Sequence, residues 1–487
     1  MGARFYDTLM WEYIKNPGIR WLSLDKLSQK EFQYRMISYD EITNKKKVNF
    51  VDVDLKAAAI YSGEDVYITN KLYNKQLEEK TTENKVLNEI EIPLIEVLKE
   101  MEISWVYVER DKLKWIALLL DQEIERLEKS IYAKVGEEFN IKSPKQVWNI
   151  LFEKLALPKW KKTKTGYSVS AEVLWELAHE YPIAQEIVDY RHYTKLKSTY
   201  IEWLLDLIDD NSLVHTSYNA SVTSTGRLSS TSPNLQNIPS SNWIAWEIRG
   251  AFISRFDNWK IIALDYSQVE VRILAIMSED ENLLSAFKNW LDIHHKTAEF
   301  LFPNSTITNS ERKIAKAVNF WVIYWISWFW LAKMIWISMK DAKIYIEKFY
   351  ESYPKVKLYL EKTIASCEEK KYVETMFWRK RYINGINDLN KIVKSSAERE
   401  ATNMPIQWTS ADIIKIAMIQ VHKYMMSHKL KSKMIMQVHD ELVFDVFPWE
   451  EVELKREVQK IMQNIIKDSQ IELKVDIWEW NTWKEAK

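Results

Sequence analysis

Glycine is scarce in this chain. Its 487 residues include only 8 glycines, where a usage near 7% would give roughly 34. Cysteine is scarcer still, with Cys367 alone. That excludes an intrachain disulfide, a disulfide scaffold and a cysteine-based zinc cluster. Neither sign of charge dominates: 68 Lys and Arg face 69 Asp and Glu, for a formal net charge of -1. A nucleic-acid partner is neither required nor excluded by that balance, because a binding groove needs local charge. No charge-free apolar run reaches the roughly 18 residues of a membrane span, and the opening MGARFYDTLMWEYIKNPG lacks the apolar centre of a signal peptide. A reduced, cytoplasmic protein without a membrane segment is expected. At roughly 100–200 residues per domain the length corresponds to about three domains. The 47% hydrophobic and 28% charged residues are ordinary for a globular chain. Tryptophan is in excess, at 23 residues. Added to the glycines, it brings the total close to a normal glycine count of about 34.

Neither a tandem repeat nor a low-complexity linker divides the chain. Over 111–135, Leu113, Ile116, Leu120, Ile124, Leu127 and Ile131 recur at spacings of three and four with charges between them, which predicts a long amphipathic helix. A basic stretch follows, with Lys159, Lys161, Lys162 and Lys164, and a second cluster at Arg191, Lys195 and Lys197. These are either solvated surface or contacts to a phosphate backbone. KIIALDY at 260–266 reads as a buried strand ending in an acid, and QVEVRILAIM after it as a helix. MIMQVHDELVFDV at 434–446 reads as a hairpin with acids at its turn. Helical periodicity covers 311–337 and 407–427. Strands far apart in sequence with helices between them predict an α+β fold.

Asp265 at a strand end and Asp440 at a hairpin tip would hold hard divalent cations if one sheet brought them together. Otherwise they are solvated or structural acids, as most acids are. Arg312, Lys316, Phe320 and Tyr324 recur every four residues, so on a helix they share one slowly drifting face. Two cations followed by two rings suit a triphosphate and a base or sugar. They equally suit an ordinary amphipathic helix with its rings in the core.

Four segments decide between these readings: TSTGRLSSTSPNLQNIP at 223–239, LDYSQVEVR at 264–272, RKIAKAVNFWVIYW at 312–325 and QVHDELVF at 437–444. In this order and spacing they resemble the signature of family A DNA polymerases of the bacterial polymerase I type. Similarity continues through NMPIQWTSADIIK at 403–415, the closing VDIWEWNTWKEAK and NIKSPKQVWNILFEKL. The resemblance implies a right-hand fold: a thumb at 86–214, a palm at 215–270 and 390–487, and fingers at 271–389. Residues 1–85 would be the end of a 3′–5′ exonuclease-like, ribonuclease H-like domain. It implies template-directed addition of deoxynucleotides to a primer, with primer–template DNA and dNTP as partners, two Mg2+ ions and a monomeric enzyme. Asp265 and Asp440, with the Tyr266 carbonyl, match the metal ligands, and Glu441 an accessory acid. Arg312, Lys316 and His294 match triphosphate contacts, with Gln268 also on the nucleotide side. Phe320 matches the residue packed against the sugar, Tyr324 the one sharing space with the templating base, and Glu270 the steric gate against a ribose 2′-hydroxyl. Arg227, Asn234, Gln236, Asn237, Arg399, Asn403, Gln407 and His439 match primer–template contacts.

Other readings make different demands. A single-subunit RNA polymerase shares the aspartates and the Lys/Tyr helix but is opposed by Glu270 and Phe320. A catalytically silent DNA-binding fragment is opposed by the presence of Asp265, Asp440, Arg312 and Lys316.

The chain departs from the family pattern in two ways. Tyr61 and Asp65 match the last exonuclease motif, whereas the earlier acids of that motif set would precede residue 1. One acid does not assemble a two-metal hydrolytic site, so mismatch excision is not expected. Tryptophan also stands where the family has glycine, at Trp321, Trp325, Trp328, Trp330, Trp408, Trp478 and Trp480, whereas Trp483 matches a family tryptophan. A gene whose UGA codons encode glycine, read with UGA as tryptophan, would produce both abnormal counts. Strained or unusually exposed indoles are then expected at these sites.

Overall fold

The structure is a computed structural model. It describes all residues except 1–4, 18–21, 80–82, 159–161, 164–165, 240–242, 257, 304–305, 324–327, 336, 481 and 485–487. Its centre is a four-stranded antiparallel sheet in the order Lys433–Val438, Glu441–Val446, Lys260–Ser267, Lys474–Trp480. The predicted strand at 260–266 is therefore central, and the predicted hairpin at 434–446 supplies the two strands on one side of it. Alternation along the strands divides the core. Ile262, Leu264, Leu442 and Phe444 face one apolar cluster, while Ile261, Ala263 and Val443 face another.

On the first face lie helices Val269–Ser278, Lys391–Ser427 and Glu451–Gln463. The helix read over 407–427 belongs to a 37-residue helix that runs through Pro405. The second face is covered by Leu113, Ile116 and Leu120 of helix Arg110–Val135, by Ile244 and Ile248, and by Trp483. The far end of helix Arg110–Val135 enters a separate cluster with residues 141–190. The stripe predicted over 111–135 thus spans two cores, and all its members are buried except the half-buried Ile124.

Helix Ile92–Ser104 falls within the expected thumb segment, yet its Leu94, Val97, Leu98 and Met101 pack in the sheet core. Among described residues before Val106 there are helices and no strand. Helix Leu55–Glu78 there buries Ile68, Leu72 and Gln76 but exposes Leu55, Ile60, Val66 and Tyr67.

A candidate nucleotide site at the end of the sheet

Asp265 is the sixth residue of the central strand and pairs in register with Glu441 on one side and Asp476 on the other. Asp440 sits in the two-residue turn of the neighbouring hairpin, after His439, whose φ is +54°. The Tyr266 amide donates to the Asp440 carbonyl at 3.1 Å, so the two aspartates are held at adjacent strand ends by backbone bonding. A cavity of about 310 Å³ opens beside them, lined by Arg227, Gln268, Glu270, His294, Lys316, Phe320, Tyr266 and Asp440. These residues come from five separate segments of the chain.

The polar contacts of Arg227 and Ser410 in the pocket are long. Arg227 Nη2 lies 3.3 Å from Glu270 Oε1 and 3.5 Å from Asp440 Oδ1. The Ser410 hydroxyl lies 3.4 Å from the same Asp440 oxygen. His294 is buried between Gln268 Nε2 at 3.2 Å and Asn319 Nδ2 at 3.0 Å. Burial brings its pKa down from 6.5 to about 4, with Arg312 and Lys316 adding to the shift and Asp292 opposing it. The ring is therefore neutral near pH 7. Its Nδ1 faces the Asn319 amide nitrogen and its Nε2 the Gln268 amide nitrogen.

Lys316 and Phe320 lie one turn apart on helix Asn309–Ile323, and both reach the pocket. Arg312, one turn earlier, donates from Nε to Asp292 at 2.6 Å and lies half in solvent at the rim. Asp292 also caps helix Ile293–Leu301, so one carboxylate orients both Arg312 and the helix carrying His294. Tyr324 lies outside the described residues.

The expected DNA contacts separate into groups. Arg399, Asn403 and Gln407 are half-buried at four-residue intervals on helix Lys391–Ser427, which places them in one row. Asn237 and His439 are exposed. Asn234 caps the following turn through the Gln236 amide at 3.1 Å. Two residues make buried contacts of their own. Gln236 is buried and donates to Gln437 Oε1 at 2.7 Å, which ties it to strand Lys433–Val438 of the hairpin. Glu441, paired in register with Asp265, is buried, and its Oε1 accepts the Trp483 indole N–H at 3.0 Å; neither it nor Asp265 is among the residues lining the cavity. Both are strand residues, whereas Asp440, which does line the cavity, is in the turn. The second basic cluster is also engaged internally: Arg191 donates to the Val169 carbonyl at 2.9 Å, and Lys197 pairs with Asp121 at 2.5 Å. Of the first cluster, Lys159, Lys161 and Lys164 lie outside the described residues. Tyr61 and Asp65 lie on helix Leu55–Glu78 and line a distant cavity with Asp25, Asp40 and Lys46. Sequence reasoning missed Ser410, Asn319 and Asp292. The last carried a signal, since Asp directly before a helix that starts IHHKTA is a capping pattern.

Among the described residues no group of three or more His, Cys, Asp or Glu side chains converges, and no helix is long and apolar enough to cross a membrane. A sheet with paired acids at its end, faced by a helix presenting Lys316 and Phe320, has the architecture of the hand-shaped polymerases. A sequence model of DNA polymerase family A matches residues 110–485. The chain is 42% identical to DNA polymerase I of Bacillus subtilis strain 168, over all of this chain and 56% of that protein. It is 44% identical to that of Bacillus caldotenax, over 89% of this chain and 49% of the other. It is 47% identical to that of Caldicellulosiruptor bescii, over 82% and 47%. A solved structure, the POL domain of Pol1 from M. smegmatis in complex with DNA primer-template and dNTP, superposes with a TM-score of 0.87 at 32% identity. It matches over 99% of this chain and 82% of that one. The chain belongs to DNA polymerase family A. It spans about half the length of the curated relatives it matches.

Proposed function

We propose that this chain catalyses template-directed DNA synthesis, adding deoxynucleotides to a primer 3′-hydroxyl with release of pyrophosphate. The observation that carries the proposal is the single pocket joining Asp440, Arg227, Gln268, Glu270, His294, Lys316 and Phe320 beside Asp265. The oxygen-only donor set of Asp265, Asp440 and the Tyr266 carbonyl fits magnesium, which accepts few protein ligands and completes its shell with water and phosphate. When bound, such ions supply charge stabilisation for an in-line phosphoryl transfer. The chain's own groups position and neutralise. Lys316 and, at the rim, Arg312 take the triphosphate charge. Phe320 packs on the sugar, and Glu270, anchored by Arg227, occupies the space beside its 2′ position. Neutral His294, held between the Gln268 and Asn319 amides, lines the phosphate side of the pocket without adding a positive charge. Asn403, Gln407 and Arg399 run as a polar row for the primer–template.

The test is primer extension by the full chain with Asp265→Ala and Asp440→Ala. Each is expected to lose several orders of magnitude in rate, with DNA affinity retained. Extension at near parental rates in either variant refutes the assignment. DNA binding without extension by the parent chain would favour the silent-fragment reading instead.

A further inference from the structure

Three tryptophans have backbone conformations that belong to glycine. Among the described residues seventeen non-glycine residues have positive φ. Most are Asn, Asp, Lys, Ser, Gln or Glu, and none is Phe, Tyr, Leu, Ile, Val or Met; yet Trp105, Trp290 and Trp378 are among them. A bulky side chain at positive φ is a steric outlier.

Each of the three sits in a different motif, and each motif calls for glycine. Trp105 ends helix Ile92–Ser104 at φ 55° and ψ 166°, a region that is essentially glycine-only. Trp290 follows helix Glu281–Lys288 at φ 54°. Its amide donates to the Phe287 carbonyl at 3.2 Å, and the next amide, of Leu291, donates to Ala286 at 3.0 Å. That is the paired bonding of a Schellman termination, whose left-handed residue is usually glycine. Trp378 lies in the turn between strands Tyr372–Glu374 and Lys380–Tyr382 at φ 66°. Its amide donates to the Thr375 carbonyl at 3.1 Å, and the Thr375 amide donates to the Arg379 carbonyl at 2.9 Å. This is a turn followed by a left-handed residue forming a bulge, again a glycine position.

Exposure follows the same pattern. Among described residues nine tryptophans are exposed, including Trp290 at 62% and Trp449 at 89%, and three are buried; for phenylalanine the figures are four exposed and five buried. Trp483, the expected authentic tryptophan, is fully buried, and its N–H is bonded to Glu441. Trp408 departs from the expectation of strain or exposure: it is buried, and its indole donates to the Ser224 carbonyl at 3.1 Å. The inference therefore rests on positions 105, 290 and 378 and not on 408.

We infer that positions 105, 290 and 378 carry glycine in the cellular protein, through UGA codons that the host reads as glycine. The scarcity of glycine and the excess of tryptophan then have a single cause. Mass spectrometry of the protein purified from its host, on peptides covering the three positions, is expected to find glycine at all three, and the gene to carry UGA there. Tryptophan in any of these peptides, or UGG at these codons, overturns the inference. A recombinant comparison reads the conformational argument separately. The full chain carrying Trp105→Gly, Trp290→Gly and Trp378→Gly together should melt a few degrees higher than the tryptophan form. An equal or lower Tm would overturn that argument.

Discussion

Two clusters of charge in this molecule are built in opposite ways. In the nucleotide pocket Arg227 stands 3.3 and 3.5 Å from two carboxylates, and Ser410 3.4 Å from one of them. Behind it, Glu91, Arg379, Asp412 and Lys415 form a cluster buried almost completely. There Arg379 donates to Asp412 at 2.7 Å and to Glu91 at 2.6 Å, and Lys415 to Glu91 at 2.8 Å. Burial alone would raise the Glu91 carboxyl, but Lys415 and Arg379 outweigh it and hold it below the usual range. The buried cluster has short contacts in a dry interior, where removing one partner strands the others. The pocket has long contacts within reach of water, where a substrate phosphate or metal can replace a protein partner at little cost. Tight pairing belongs to the scaffold and loose pairing to the site that exchanges ligands. Both act on helix Lys391–Ser427, which carries Asp412 and Lys415 as well as Ser410.

The sharpest way to break this comparison is to remove one acid from each cluster. Asp440→Ala should abolish primer extension while changing stability by less than about 1 kcal/mol, since Arg227 at 3.5 Å and Ser410 at 3.4 Å hold a carboxylate that is partly solvated. Asp412→Ala should cost about 3–5 kcal/mol in denaturant unfolding, with extension per folded molecule much less affected. If the two variants gave the same split between activity and stability, the distinction would be lost. A smaller effect is expected from Glu270→Ala. It frees the space beside the sugar and should raise ribonucleotide use relative to deoxynucleotide use by about tenfold or more, equivalent to about 1.4 kcal/mol. Unchanged discrimination in a nucleotide competition assay would remove Glu270 from the gate.

The smallest effect concerns His294. The unfolded chain takes up this proton near pH 6.5 and the folded chain only near 4. Between those values the unfolded state binds more protons, so stability falls as pH drops through that window. His294→Asn should flatten part of this slope, giving a smaller fall in urea midpoint from pH 7 to pH 5 than the parent. An equal fall would mean that the imidazole does not titrate with folding.

Much of the scaffold was legible in the residues themselves. The stripe over 111–135 became helix Arg110–Val135, KIIALDY became the central strand, and MIMQVHDELVFDV became the hairpin. Spacing by four put Lys316 and Phe320 together in the pocket. What was not legible depended on the surroundings of a side chain. Glu441 differs from Asp440 by one residue, and that step moves it from the turn to a strand facing Trp483. Nothing in the sequence places Gln437 against Gln236. Arg191 and Lys197 look like a phosphate patch until Val169 and Asp121 engage them.

The sequence by itself determined the period of each helix and strand, the order of the motifs and the abnormal counts of glycine and tryptophan, because these are local or additive properties of the chain. Tertiary structure alone decided which charges meet. Arg379 reaches Glu91 across 288 residues and Lys415 across 324, and no periodicity records a contact at that separation. It also decided the hand of the backbone at Trp105, Trp290 and Trp378. A composition can show that too many tryptophans are present. Only a φ angle, through the steric demand of a Cβ, shows at which of these positions the chain asks for glycine.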